Sequence, residues 1–172
     1  MTKVTQPLRD EHHAMHQRIS VIRRVADQVS DVPGPEVATG VEEVYAFLSA
    51  ELGPHALAEE AVLYPTVAEA LGSVNATATM IADHVRLRGM TAELDTLRAR
   101  LASGEPLPPD DVTALRRILY GLHALVTVHL MKEEEVYLPI LDEYLSPEQA
   151  RSMYAEMQRV EHEQPAESVA AS

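Results

Sequence analysis

Cysteine is absent from the 172 residues. Disulfides, thiolate metal sites and iron–sulfur clusters on this chain are excluded with it, so any metal must be held by nitrogen and oxygen. Tryptophan is also absent, phenylalanine occurs once and glycine seven times. Ala, Leu, Val, Arg and Glu dominate instead, which is the usage of helices. Lysine supplies only two of the fourteen basic residues, and the formal charge is −13. That acidic balance argues against nucleic acid and anionic membrane surfaces as partners, because both select Lys and Arg. No apolar run reaches the ~18 residues that span a bilayer. The opening MTKVTQPLRDEHH turns charged at once and carries no apolar signal core. The expectation is one cytoplasmic domain over residues 1–172, long enough to bury a core without staples.

The most informative stretch is HLMKEEEVYLP at 129–139, because it has a twin in HALAEEAVLYP at 55–65. Both read His-x-x-x-Glu-Glu-x-x-x-x-Pro. Residues four apart lie one above the other on a helix, so His55 with Glu59, and His129 with Glu133, each point an imidazole and a carboxylate the same way. A single His-x-x-x-Glu is weak evidence, whereas a doubled eleven-residue pattern is not an accident of composition. Another acid-flanked histidine stands upstream of each copy, His12 in RDEH and His84 in IADH. The chain reads as one histidine-bearing hairpin written twice, with four helices and six ligand candidates: His12, His55, Glu59, His84, His129 and Glu133.

Periodicity gives an all-α reading, an up-down-up-down four-helix bundle over about 7–145 with a further helix over about 147–164 and a disordered tail at 165–172. Thr5 is expected to cap the first helix and Asp110 the fourth. Stripes lead directly onto the motifs, through Leu48 and Leu52 to His55, Glu59 and Val62, and through Leu122 and Val126 to His129, Glu133, Val136 and Ile140. In the third helix Met80, Ile81, His84 and Leu87 are expected to face inward. Gly53-Pro54 should kink the second helix just before His55. Ser146, Pro147 and Gln149 predict a capping box at the start of the fifth helix.

Burying two carboxylates and four imidazoles among Leu, Ile and Val costs several kcal/mol per ion unless each lone pair is satisfied, which a metal cation does at once. His13, His123 and His162 read as ordinary surface or core histidines. His16, one turn after His12, and Glu134, beside Glu133, are held as additional ligand candidates. Glu60, Glu134 and Glu135 otherwise read as a solvated acidic face, and Tyr45, Tyr64, Tyr120 and Tyr137 as packing at the core or rim, although a phenol close to an oxidising metal centre would be its most reactive neighbour. Imidazole and carboxylate without sulfur suit iron, manganese or zinc. Two glutamates beside four imidazoles allow two ions, with both carboxylates bridging.

These residues resemble the hemerythrin-like proteins with the HHE cation-binding domain, whose pattern is His, His-x-x-x-Glu, His, His-x-x-x-Glu on four helices. The resemblance covers about residues 7–145. It implies two iron ions, oxo- or hydroxo-bridged, with His12, His55, His84 and His129 as terminal ligands and Glu59 and Glu133 as bridges. The oxygen-carrying members have His-x-x-x-His on the third helix, where this chain has His84 and Arg88, and His-x-x-x-x-Asp on the fourth, where it has Glu133 and Glu134. Fewer imidazoles favour the ferric state over reversible oxygen carriage. The resemblance therefore implies a di-iron oxidoreductase acting on small molecules: catalase-like decomposition of H2O2, NO detoxification, or both. The alternative is O2 binding, oxygen or iron sensing, or iron donation and iron-centre repair without turnover. A monomer or weak homo-oligomer is expected, with no nucleic-acid or membrane partner.

Overall fold

Proline sets where most of the helices begin. Its fixed φ and missing N–H suit the first turn, where the amide would have no partner anyway. In the computed structural model, which describes residues 3–30, 33–104 and 106–163, Pro7, Pro35, Pro109 and Pro147 each stand in the opening turn of a helix. The elements are α1 (Gln6–Gln28), α2 (35–71), α3 (Ala78–Ala102), α4 (109–144) and α5 (Pro147–Glu163). The described residues contain no strand. Gly72, at φ 64°, closes α2 by donating to the Glu69 carbonyl while Ser73 donates to that of Ala68, the left-handed termination that glycine makes without steric cost. The chain belongs to the all-α class, a helical bundle in architecture.

α1 packs against α2 and α4, and α3 packs against the same two helices. The apolar core lies in two clusters. One gathers Ile19, Ile22, Val41, Leu52, Leu87, Leu94, Leu122 and Val126. The other gathers Leu8, Leu63, Tyr64, Met80, Tyr137 and Leu141 with Ala150, Met153 and Met157 of α5. Each bundle helix passes from one cluster to the other, in opposite senses for successive helices. Where it crosses, it carries His12, His55 with Glu59, His84, or His129 with Glu133. A polar layer thus sits between two apolar ones.

Helices α2 and α4 change register three times without ending. Single π turns occupy Leu48–Leu52, Glu59–Leu63 and Glu133–Tyr137, closed by five-residue bonds from Gly53, Tyr64 and Leu138 to Leu48, Glu59 and Glu133. A proline, Pro54, Pro65 or Pro139, stands two residues beyond each. Proline cannot supply the next i→i−4 bond, and the wider turn is where the ladder slips by one residue. At Gly53-Pro54, where a kink is expected, the helix changes register, and α2 stays helical to Leu71.

The slip corrects the inward stripes. Val136 is 49% exposed, and Tyr137 and Leu141 take the buried positions expected of Val136 and Ile140. Leu63 is likewise buried in place of Val62. Ile81 is also exposed, because α3 turns Met80 and His84 inward and leaves Ile81 beside them at the rim. Two caps differ as well. Thr5 precedes α1, but its hydroxyl donates to Asp142 (2.9 Å) rather than capping. Asp110 lies in the first turn of α4, whose cap position is Pro108. The capping box of α5 forms as expected, with Ser146 N donating to Gln149 Oε1 at 2.9 Å and Gln149 N to Ser146 Oγ at 3.2 Å.

α5 lies on the side of the bundle, against the Gly53–Leu63 stretch of α2. The contact is made possible by small residues there, with Gly53, Ala56 and Ala58 buried. Met153 and Met157 bury their side chains in the second cluster, each worth about 1.5–3 kcal/mol. The tail expected at 165–172 lies outside the described residues.

Candidate metal centre

The α spacing holds between histidine and glutamate in each motif, because each π turn begins at the glutamate itself. His55 and Glu59 therefore point the same way, as do His129 and Glu133, and His12 and His84 arrive from α1 and α3. All six are buried, none more than 6% exposed. Glu59 lies between two histidine pairs. Its Oε1 is 2.9 Å from His55 Nε2 and 3.7 Å from His12 Nε2, and its Oε2 is 3.3 Å from His84 Nε2 and 3.9 Å from His129 Nε2. Glu133 spans the same gap, with Oε2 3.7 Å from His12 Nε2 and Oε1 3.5 Å from His129 Nε2. Three groups of possible ligand atoms result: His12–His55–Glu59 and Glu59–His84–His129, both fully buried, and Glu11–His55–Glu161 on the outer edge of His55, where only the histidine is buried.

The opposite edge of every ring is held by a carboxylate. His12 Nδ1 faces Glu134 Oε1 (3.0 Å), His55 Nδ1 faces Glu161 Oε1 (3.1 Å), His84 Nδ1 faces Glu60 Oε1 (2.9 Å) and His129 Nδ1 faces Asp83 Oδ2 (3.2 Å). A carboxylate on Nδ1 fixes the tautomer with its proton there and leaves the Nε2 lone pair free for a cation. Three of these acids are themselves held by cations, Glu134 by Arg9 (2.6 Å), Glu60 by Arg88 (2.9 Å) and Asp83 by Lys132.

Four buried atoms that face inward have no hydrogen-bond partner: His12 Nε2, His55 Nε2, Glu59 Oε1 and Glu133 Oε2. His55 Nε2 and Glu59 Oε1 are close, but not aligned for a bond. Leaving such groups dry and unpaired is costly, and a cation between them satisfies all four. The donor set fits a hard-to-borderline metal.

Titration follows the same geometry. Burial alone would push the His12, His55 and His84 imidazoles down. The Glu59 carboxylate, helped by Glu133, Glu161 and Glu60, reverses this, so all three stand above their usual value and His84 reaches about 9. Glu133 is pushed up to about 7 by burial and by the Glu59 charge. Glu59 is as deeply buried, yet the surrounding imidazoles hold it well below the usual carboxylate range.

The family-model comparison matches the hemerythrin HHE cation binding domain over residues 4–141, with a second, overlapping placement over 75–165. The chain belongs to the hemerythrin family. The second placement begins just ahead of α3, as suits a chain built from two similar hairpins. No curated protein and no solved structure matches the chain. The clustered histidines and glutamates of this hemerythrin domain form a site able to hold metal.

Two of the sequence candidates fall outside the inward-facing set. His16 is exposed. The buried face of α1 runs through Leu8, His12, Ile19 and Ala26, and His16 lies about 40° past His12 towards solvent. Glu134 stands outside the ring it supports, on His12 Nδ1. Glu60 has the matching role on His84, so these two acids are not merely a solvated face. Glu135 is exposed.

Sequence reasoning left Tyr64 out of the ligand set and read it foremost as packing. Its hydroxyl donates to Glu133 Oε1 at 2.8 Å and lies 3.3 Å from both His84 Nε2 and His129 Nε2. In an unbroken α-helix Tyr64 would lie roughly 180° round from His55, and the residue inserted by the π turn removes about 100° of that. Burial and the Glu59 and Glu133 charges raise the phenol above its usual value. The corresponding residue of the second motif is Leu138, fully buried and without a ligand atom. The aromatic of that motif, Tyr137, instead donates to the Ala76 carbonyl at 3.0 Å. The signal available in the sequence was the proline that closes each motif.

Proposed function

We propose that this hemerythrin domain holds two iron ions and reacts with small oxygen or nitrogen species, H2O2 decomposition first and NO detoxification beside it. The observation that carries the reading is the division of Glu59 between two histidine pairs, one oxygen to each, with Glu133 spanning the same gap. His12 and His55 would hold one ion, His84 and His129 the other, and both carboxylates would bridge. Tyr64 is a further donor available to the His84–His129 side alone, while Leu138 offers none to its own. The two ions would therefore be unequal, with fewer protein ligands on the His12–His55 side.

When bound, a bridged iron pair supplies Lewis acidity and two redox equivalents. The chain's own residues decide what can reach it. A cavity of about 10 Å³ adjoins His55, Glu59, Asp83, His84 and His129 and is otherwise walled by Leu and Val side chains, Leu52, Leu87 and Val126 among them. That is room for one water-sized molecule. Its apolar walls and its two carboxylates favour a neutral species over an anion. The four Nδ1 carboxylates keep each imidazole in one tautomer, so the geometry is set before a substrate arrives.

The test is metal content per chain with the visible spectrum of the purified protein, repeated after peroxide. Near two irons, an oxo-bridge band that changes with peroxide, and evolved oxygen above a free-iron control are expected. Two irons with a peroxide-inert spectrum would move the reading to oxygen or iron sensing, or to NO. No metal after anaerobic reconstitution with ferrous iron would overturn it.

A further inference from the structure

The carboxylates on the Nδ1 edges follow a rule around the bundle. Glu134 of α4 holds His12 of α1, Asp83 of α3 holds His129 of α4, and Glu60 of α2 holds His84 of α3. Each acid is the immediate sequence neighbour of a ligand candidate, and each helix supports the histidine of an adjacent helix. The rule assigns the fourth place, on His55 of α2, to Glu11 of α1. Glu11 precedes His12 as Asp83 precedes His84, and it does stand there. Yet its Oε2 is 3.9 Å from His55 Nδ1, and its Oε1 accepts a hydrogen bond from Tyr154 of α5. Glu161, also of α5, takes the histidine at 3.1 Å.

We infer that Glu161 is the positioning residue for His55, and that α5 is thereby coupled to metal occupancy of the His12–His55 half of the site. The inference rests on the metal-centre reading above. α5 lies outside the four bundle helices, packs on α2 and sends Tyr154 and Glu161 towards Glu11 and His55. Among the described residues Glu161 has no Lys or Arg ion pair, whereas Glu134, Glu60 and Asp83 each have one. Its place is thus fixed by the seating of α5 and by His55. A cation on Nε2 makes the Nδ1 proton a stronger donor, which strengthens the bond to Glu161 and so holds α5 down. By linkage, a seated α5 favours the cation to the same extent. Three of the four histidines are held from within the bundle and do not depend on this helix.

The experiment uses full-length protein carrying Glu161→Ala, Glu161→Gln or Tyr154→Phe, with Glu148→Gln, on the exposed start of α5, as control. Anaerobic ferrous iron is titrated by equilibrium dialysis, and amide hydrogen exchange is followed over Ala150–Val160 with and without iron. In the wild type, iron should slow exchange in α5. Glu161→Ala should weaken one of two binding steps by about 10- to 100-fold, leave the other within about threefold, and abolish the slowing. Glu161→Gln, whose Oε1 still accepts from Nδ1, should fall between. Tyr154→Phe frees Glu11 and should soften the loss when combined with Glu161→Ala. Wild-type affinities in Glu161→Ala, with iron still slowing exchange in α5, would overturn the inference. Failure of the wild type itself to bind iron would overturn the metal-centre reading, and is told apart because no variant is needed to see it.

Discussion

Tyr64 shows how much one residue can decide. Its hydroxyl is buried, donates to Glu133 and sits within 3.3 Å of two imidazole nitrogens. In the metal-centre reading, the Tyr64 oxygen would be a further donor to an ion held by His84 and His129. Iron-loaded wild type should then show a phenolate-to-ferric absorption band that Tyr64→Phe lacks, and a band that survives the substitution would place the phenol outside the donor set. The same variant leaves a buried Glu133 oxygen without its donor, at a cost of about 1–3 kcal/mol. Chelated Tyr64→Phe should therefore melt below chelated wild type in a thermal scan. The residues around it were unequally legible. Glu59 and Glu133 declared themselves by spacing from a histidine, whereas Tyr64 has no such spacing in an uninterrupted helix.

The π turn is the element on which that difference depends. Three of them in α2 and α4 each stand two residues ahead of a proline, and in both motifs the turn begins at the candidate ligand glutamate. An α-helical wheel drawn through either motif is right up to the glutamate and wrong after it, which is why Val136 was expected inside and Tyr137 was found there. Restoring an N–H at this point should let the ladder close. Pro65→Ala is expected to keep the helix content by circular dichroism while turning Tyr64 roughly 100° away, weakening the phenolate band and iron binding together. An unchanged band and affinity would mean that packing, not proline, holds the turn. α5 poses the opposite problem. Its capping box was legible, but the surface it covers was not. That surface is chosen by small residues of α2 brought near by the turn at 145–146.

Across the whole molecule, proton and metal compete for the same buried groups. His84 is raised from 6.5 to about 9 and Glu133 from 4.5 to about 7, so the folded chain binds more protons than the unfolded one between these limits. The stability His84 lends is fully present below its unfolded value of 6.5 and is lost as pH rises through about 9. The penalty from Glu133 grows over the same direction of change, as pH rises through about 7. Chelated protein should therefore lose melting temperature from about pH 6 to 9. Iron binding requires deprotonated ligands and releases those protons, and a ligand at a hundred times its Kd adds about 2.7 kcal/mol. The melting temperatures of loaded and chelated protein should thus separate further with each step up in pH. A gap that stays constant or narrows would contradict this account of the site.

The sequence by itself determined the donor chemistry, the helical class, the two-fold repeat and the six buried residues at its centre, because each of these is written in local spacing that a helix converts directly into a shared face. The tertiary structure alone decided which acids support which histidines, that Tyr64 turns inward while Leu138 takes its place in the other motif, and that His55 answers to a carboxylate 106 residues further along the chain. The reason is physical. A register slip changes every later side-chain direction by a bond the sequence only hints at, and a contact between helices is chosen by packing among neighbours that no local period encodes.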